Sequence, residues 1–175
     1  MTEFDPVAAL QEQFGEDVLR VEEFRGELTI VVQPQKIVEV STFCRDELDY
    51  TYLADIAGVD YFPNQPRLAL NYHLLSLEHN HRLRLKVFWD DGEEPVPSVT
   101  GVWPSANWEE REAYDMFGIE IKNHPDQIQN NPRRILMPME WEGFPQRKDY
   151  PLGYETVQFS FNVDEVNQHK PYAKK

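Results

Sequence analysis

Cysteine is almost absent: Cys44 is the one thiol in 175 residues. That excludes an intrachain disulfide, and it excludes an iron–sulfur cluster held by this chain's cysteines alone. A lone thiol also fits a reducing compartment. The eight glycines are scattered, so there is neither a Gly-rich phosphate loop nor a Gly-x-Ser-x-Gly elbow. Long apolar runs are missing, and no segment is expected to span a bilayer as a helix. The first residues, Met1-Thr2-Glu3-Phe4-Asp5, are acidic, unlike the start of a signal or transit peptide. Basic residues are few: 17 Lys and Arg against 31 Asp and Glu leave a net charge of −14. A field of that sign repels phosphate backbones and argues against nucleic acid as a partner.

What remains is one ordinary domain, 41% hydrophobic, long enough for a proper core. Residues 103–152 organise it. Asn107 can cap a helix, with Glu110 three residues on as in a capping box, and Glu109 and Glu110 suit the positive end of the helix dipole. Gly118 is the expected left-handed stop. Pro125, Pro132, Pro138, Pro145 and Pro151 then exclude a further long helix. The segment is still no polar linker. Ile135, Leu136, Met137, Met139, Trp141, Phe144 and Tyr150 all need something to pack against. Arg133, Arg134, Arg147 and Lys148 gather there too, as a solvated surface or as a basic edge for an acidic partner.

Before that stretch the pattern is regular. Asp5 and Pro6 open a short helix carrying Val7, Leu10 and Phe14, stopped by Gly15. Residues 18–24 and 27–32 read as strands around Arg25-Gly26. Pro34 opens a second helix with Ile37, Val40, Cys44 and Leu48 on one face, which makes Cys44 a core residue. Three more strands follow. Residues 50–59 alternate with Tyr50, Tyr52, Ala54 and Ile56 on one side. Residues 68–77 alternate with Leu68, Leu70, Tyr72 and Leu74. Residues 81–89 send Leu83, Leu85, Val87 and Trp89 one way and Arg82, Arg84 and Lys86 the other. The order α-β-β-α-β-β-β-α with short links predicts an α+β domain over residues 1–122, with a mainly antiparallel sheet and helices on one face. An extended, Pro-rich C-terminal arm over 123–175 follows, in which residues 158–161 can add a strand and 164–175 are polar.

No active site emerges. His79 and His81 have a spacing that can bind metal on a strand, but at a hairpin tip without cysteine they read as a loop pair. His124-Pro125-Asp126 suits a turn better than a catalytic fragment. Glu109, Glu112 and Asp115 lie three apart on a helix, as paired carboxylates for acid–base work would need. With Arg111 among them they read more simply as an exposed, ion-paired face. Trp103, Trp108 and Trp141 can stack a ligand, though packing is the usual use of Trp. No catalytic, cofactor-binding or metal-binding residue is assigned.

The stretch does carry a family signature. Trp-Glu-Glu-Arg-Glu-Ala-Tyr-Asp-Met-Phe-Gly at 108–118, His124-Pro125, Arg133-Arg134-Ile135-Leu136-Met137-Pro138, Trp141-Glu142-Gly143 and Arg147-Lys148-Asp149-Tyr150-Pro151 together resemble the complex I 30 kDa subunit family, also known as the C subunit of NADH-quinone oxidoreductase. There are two departures. Residues 127–132 lengthen the link between His-Pro and the Arg pair, and Gly143-Phe144-Pro145 stands where the family often has Gly-His-Pro.

The resemblance implies a non-catalytic, cofactor-free subunit of the proton-translocating NADH:quinone oxidoreductase, in the peripheral arm on the cytoplasmic side of the plasma membrane. FMN and iron–sulfur clusters would sit in other subunits. The neighbours would be the quinone-site subunit, which resembles the hydrogenase large subunit, and iron–sulfur subunits. From its prolines, apolar side chains and charge, the arm is expected to dock on them, with Trp141, Phe144 and Tyr150 as anchors and Arg133, Arg134, Arg147 and Lys148 fixing register against acidic groups. Packing against the subunit's own sheet is the competing reading. The equivalent subunit of a membrane-bound [NiFe] hydrogenase, or of a ferredoxin- or F420-dependent relative, shares these motifs. A free-standing hydrolase built on His124 is the reading from another class, and it lacks a base–orienter constellation.

Overall fold

A computed structural model describes residues 4–128 and 131–151 of the chain. Helix α1 spans Pro6–Phe14, where Asp5 Oδ1 accepts the N–H groups of Val7 (3.0 Å) and Ala8 (3.1 Å) and Gly15 ends the helix at positive φ. Strands β1 (Val18–Phe24) and β2 (Glu27–Val32) form the expected hairpin around Arg25-Gly26. A 3-10 turn at Pro34–Lys36 leads into α2, Ile37–Asp46. Strands β3 (Tyr52–Asp60), β4 (Leu68–Ser76) and β5 (His81–Trp89) complete a five-stranded sheet of order β1-β2-β5-β4-β3. Neighbours are antiparallel except β2 and β5, which run parallel at the centre.

One face of the sheet carries the core. Ile30 and Val32, Leu53 and Ile56, Leu70, Tyr72 and Leu74, and Leu83, Leu85, Val87 and Trp89 pack against Leu10 of α1 and Ile37, Val40 and Cys44 of α2. Burial of this kind is the main favourable term in folding. The third helix, α3 (Ala106–Phe117), adds Ala106 and Ala113 to the same core and lies along β3. Gly58 of β3 lets it approach, since a Cβ there would overlap the Phe117 ring. Short strands β6 (Val96–Pro97) and β7 (Ile121–Lys122) pair in parallel and bracket the helix. Beyond them β8 (Gln127–Ile128) and β9 (Asn131–Pro132) make a small antiparallel pair that packs on α3.

The expected alternation of β3 is wrong at its start. Tyr50 precedes the strand and is fully buried, whereas Tyr52 is more than half exposed. The pairing slips between Leu53 and Asp55, so Leu53 and Ile56 face the core and Ala54 absorbs the irregularity. The strand expected at 158–161 and the rest of the tail lie outside the described residues.

Candidate functional site

The site is the joint between α3 and the arm. The helix does not start as its sequence suggests. Ser105 precedes its first residue without a side-chain cap bond, and Asn107 donates instead to Asp126 Oδ2 at 3.0 Å. Glu110 closes no capping box. It points inward with no solvent exposure, accepting the Val99 N–H (2.7 Å) and the Ser98 hydroxyl (2.6 Å), and so ties the preceding loop to the helix. Burial pushes its carboxyl up to about 7 against those two bonds. His124 is buried beside it. The Asp126 N–H donates to His124 Nδ1, so the neutral ring carries its proton on Nε2 and donates it to the Asn107 carbonyl. Burial lowers the His124 pKa, consistent with that neutral ring. His124 thus ties the turn after β7 to the start of α3 through both ring nitrogens.

The exposed, ion-paired face expected of Glu109, Arg111, Glu112 and Asp115 does not exist. Glu112 is exposed, Glu109 is partly covered, and Arg111 and Asp115 are buried. The reason is the arm, which folds back over this face. Asp115 Oδ2 accepts three consecutive backbone N–H groups, from Ile135 (3.0 Å), Leu136 (2.7 Å) and Met137 (2.9 Å). Its Oδ1 accepts from Arg134 Nη1 at 2.6 Å. Burial alone would raise this carboxyl. The Met137 N–H, Arg134 and the N–H groups of Leu136 and Ile135 together hold it below the usual range. Arg111 reaches the other way, donating to the carbonyls of Arg133 (2.9 Å) and Arg134 (3.1 Å). Arg134 also donates to the carbonyls of Trp141 and Gly143.

The C-terminal end of α3 is closed by the same arm. Gly118 is left-handed at φ 74°, as expected, and its N–H returns to the Tyr114 carbonyl. The Gln146 N–H reaches the Met116 carbonyl (3.0 Å) and Arg147 Nε the Phe117 carbonyl (2.6 Å), satisfying carbonyls that a helix end leaves bare. Phe144 lies over Gly118, where any Cβ would overlap its ring. Its other faces meet Tyr114 edge-on and the guanidinium groups of Arg134 and Arg147. Arg147 also forms a two-pronged pair with Asp91. Further on, Arg67 bridges Asp60 at the end of β3 and Asp149 of the arm, and Asp60 accepts the Lys148 N–H (2.8 Å). Arg67, aided by the Lys148 and Phe62 N–H groups and opposed by burial, holds the Asp60 carboxyl well below its usual range.

The residues expected at a partner interface therefore fall into two groups. Arg134, Phe144 and Arg147 are committed to this chain's own α3, and Tyr150 packs against Gly143 with its hydroxyl on the Glu142 carbonyl. Trp141 is partly covered. Arg133 and Lys148 are exposed; the Arg133 guanidinium meets no partner among the described residues, and Lys148 Nζ reaches only the Phe62 carbonyl at 3.4 Å. The apolar side chains of Leu136 (58% exposed) and Met139 (51%), which the sequence reading expects to need a packing partner, point outward from the arm, as Trp108 (61%) does from α3. Sequence reasoning missed Asp115 as the centre of the joint.

The other candidates pack within the domain. The His79 ring stacks on Phe4, and His81 Nδ1 is 2.6 Å from the Tyr50 hydroxyl. Cys44 is buried in the core, its thiol pushed up to about 12. Among the described residues no three His, Cys, Asp or Glu are placed to hold a metal ion, and no helix is long and apolar enough to cross a membrane.

The same residues direct the comparison with known proteins. The C subunit of NADH-quinone oxidoreductase from Roseiflexus castenholzii is 48% identical over 170 residues, covering 96% of this chain and 95% of that protein. The protein of that name from Geotalea uraniireducens is 46% identical over 146 residues, covering 83% and 86%. Among solved structures, a trypsin-resistant fragment (1–134) of Nqo5 superposes with a TM-score of 0.61 at 32% identity, covering 69% of this chain and 97% of the fragment. A chain of the membrane-bound sulfane sulfur reductase, an archaeal respiratory membrane complex, shares the fold with a TM-score of 0.68 at 22% identity, covering 94% and 89%. The family model described as the 30 Kd subunit of the respiratory-chain NADH dehydrogenase matches residues 30–156, and the chain belongs to that family.

Proposed function

We propose that this chain is a structural subunit of a proton-translocating NADH:quinone oxidoreductase. It sits in the peripheral arm at the cytoplasmic side of the membrane, without a cofactor of its own. There it braces the quinone-site and iron–sulfur subunits while electrons pass from NADH to quinone. One observation carries the reading. The residues of the family signature converge on a single joint, Asp115 with Arg134 and the amides of residues 135–137, whose chemistry is adhesive rather than catalytic. Asp115 and Arg134 are each taken up by the other and by backbone groups of the arm, which leaves neither free to serve a substrate. The names of the relatives supply the electron donor and acceptor.

The partner surface is the outer side of that joint. Trp108, Leu136 and Met139 offer apolar area of the kind that anchors interfaces. Arg133 and Lys148 add exposed positive charge to a net-negative chain and set register against acidic groups. Arg134, Phe144, Arg147 and Tyr150 act indirectly by holding the arm in shape, and Trp141 lies between the two groups. Pre-ordering of this sort lowers the entropy lost on docking. The test is purification of the tagged full chain from native membranes. NADH:quinone oxidoreductase activity should co-purify with it and vanish when the chain's gene is deleted. A full chain recovered alone, from membranes whose oxidoreductase is intact without it, would contradict the reading.

A further inference from the structure

The face of the sheet turned away from the helices is not used by the joint. Its central strand β5 presents Arg82, Arg84 and Lys86 there. Cross-strand pairing sets Arg84 between Thr29 of β2 and His73 of β4, and Arg82 beside Leu75, which in turn pairs with Tyr52 of β3. One end of this face is closed. Lys86 Nζ donates to the Tyr61 hydroxyl at 2.7 Å and lies 4.8 Å from the ring centres of both Tyr61 and Phe88. The other end is open, as a groove of about 490 Å3 lined by Glu27, His73, Leu75, Arg82 and Arg84.

The cations in the groove are incompletely used. Arg84 pairs with Glu27 and donates to Thr29 Oγ1, but its Nε is covered and has no acceptor. Arg82 is exposed and meets no partner among the described residues. His73 is held below its ordinary pKa by burial and then by Arg84. Asp55, the cross-strand partner of His73, and Glu27, already paired with Arg84, are the acids that act on that ring. In a chain of net charge −14, two arginines with spare donors beside Leu75 and Tyr52 select an anionic, partly apolar occupant. Building on the reading of the chain as a subunit, we propose that this groove docks a carboxylate-rich segment of a neighbouring protein of the assembly, with its acids on Arg82 and Arg84 and an apolar side chain over Leu75.

The experiment uses the assembled oxidoreductase, purified through a tag on the full chain in which Tyr52 is replaced by the photo-crosslinker p-benzoylphenylalanine. Irradiation is expected to join it to a peptide from a different protein of the assembly, one with at least two Asp or Glu. Crosslink yield should fall about threefold or more with Arg82→Glu and recover with Arg82→Lys, a rim-charge effect that grows at low salt. Melting of the isolated full chain should be the same for all three, because Arg82 has no internal partner. No crosslink, a crosslink within this chain alone, or one to a segment without acids overturns the proposal, as does a yield indifferent to Arg82→Glu. If the oxidoreductase co-purifies in those cases, the subunit reading stands and the groove fails alone. A chain that never co-purifies brings down both.

Discussion

Asp115 is the residue on which the joint depends. A buried carboxylate is costly unless its oxygens are satisfied, and here four donors converge on it. Asp115→Asn is expected to destabilise the full chain by about 3 kcal/mol, because it leaves Arg134 facing a neutral amide. Urea unfolding measures this, and a loss below about 1 kcal/mol would remove Asp115 from that position. Gly118 is constrained twice, by its left-handed backbone and by the Phe144 ring. Gly118→Ala should cost about 1 kcal/mol for the backbone and about 1–3 more for the overlap. In a Phe144→Ala background the second part should disappear, and purely additive losses would show that ring and glycine do not touch. Glu110 gives a pH signature. Its carboxyl is raised in the fold to about 7 from about 4.3 in the unfolded chain. The stability it contributes is therefore complete below pH about 4.3 and lost as pH rises through about 7. Glu109 is shifted the same way, but its partial exposure damps its share. Glu110→Gln should flatten stability against pH across that window, and an unchanged slope in denaturation at pH 5 to 8 would count against it.

At the scale of elements, α3 and the arm form one unit. The sequence specified α1, α2, α3 and the five long strands through apolar period, Asp5, Pro6, Gly15 and Gly118. The parallel β2–β5 pair was not legible, because periodicity fixes faces and says nothing of which strands meet. The site was half legible. The arm's composition showed that it had to pack on something, and Gly118 ended the helix as expected. What the helix faced was misread, although a signal was present. Ala106, Glu110, Ala113 and Phe117 fall on one helical stripe toward the core, which puts Glu110 inside. The prolines of the arm suggested extension away from the domain, yet they let it turn back and wrap. The structure gives one expectation for truncation. A chain ending at Lys122 should still fold, because the sheet core is intact and Asp115 then meets water. It should be less stable than the full chain by a few kcal/mol, since the arm's bonds to α3 are gone. It should also fail to enter the oxidoreductase on native gels. Equal melting of both chains would mean that the arm does not rest on the domain.

At the scale of the whole molecule, the arginines of the joint hold the chain together, and other basic residues face outward on the surfaces proposed above to meet partners. Arg67, Arg111, Arg134 and Arg147 fasten the arm to the domain. Arg82, Arg133 and Lys148 stay outside. On the proposed reading, a member of the 30 Kd subunit family built this way would carry its docking surface ready-formed instead of folding it on the partner. The direct measurement is hydrogen exchange at the amides of Ile135, Leu136 and Met137 in the isolated full chain. Bound to a buried carboxylate, they should be protected by at least about a hundredfold over free-peptide rates, and Asp115→Asn should abolish that protection. Free-peptide exchange at these three amides, in a chain whose sheet amides stay protected, would show that the arm orders only on a partner and would contradict the central claim.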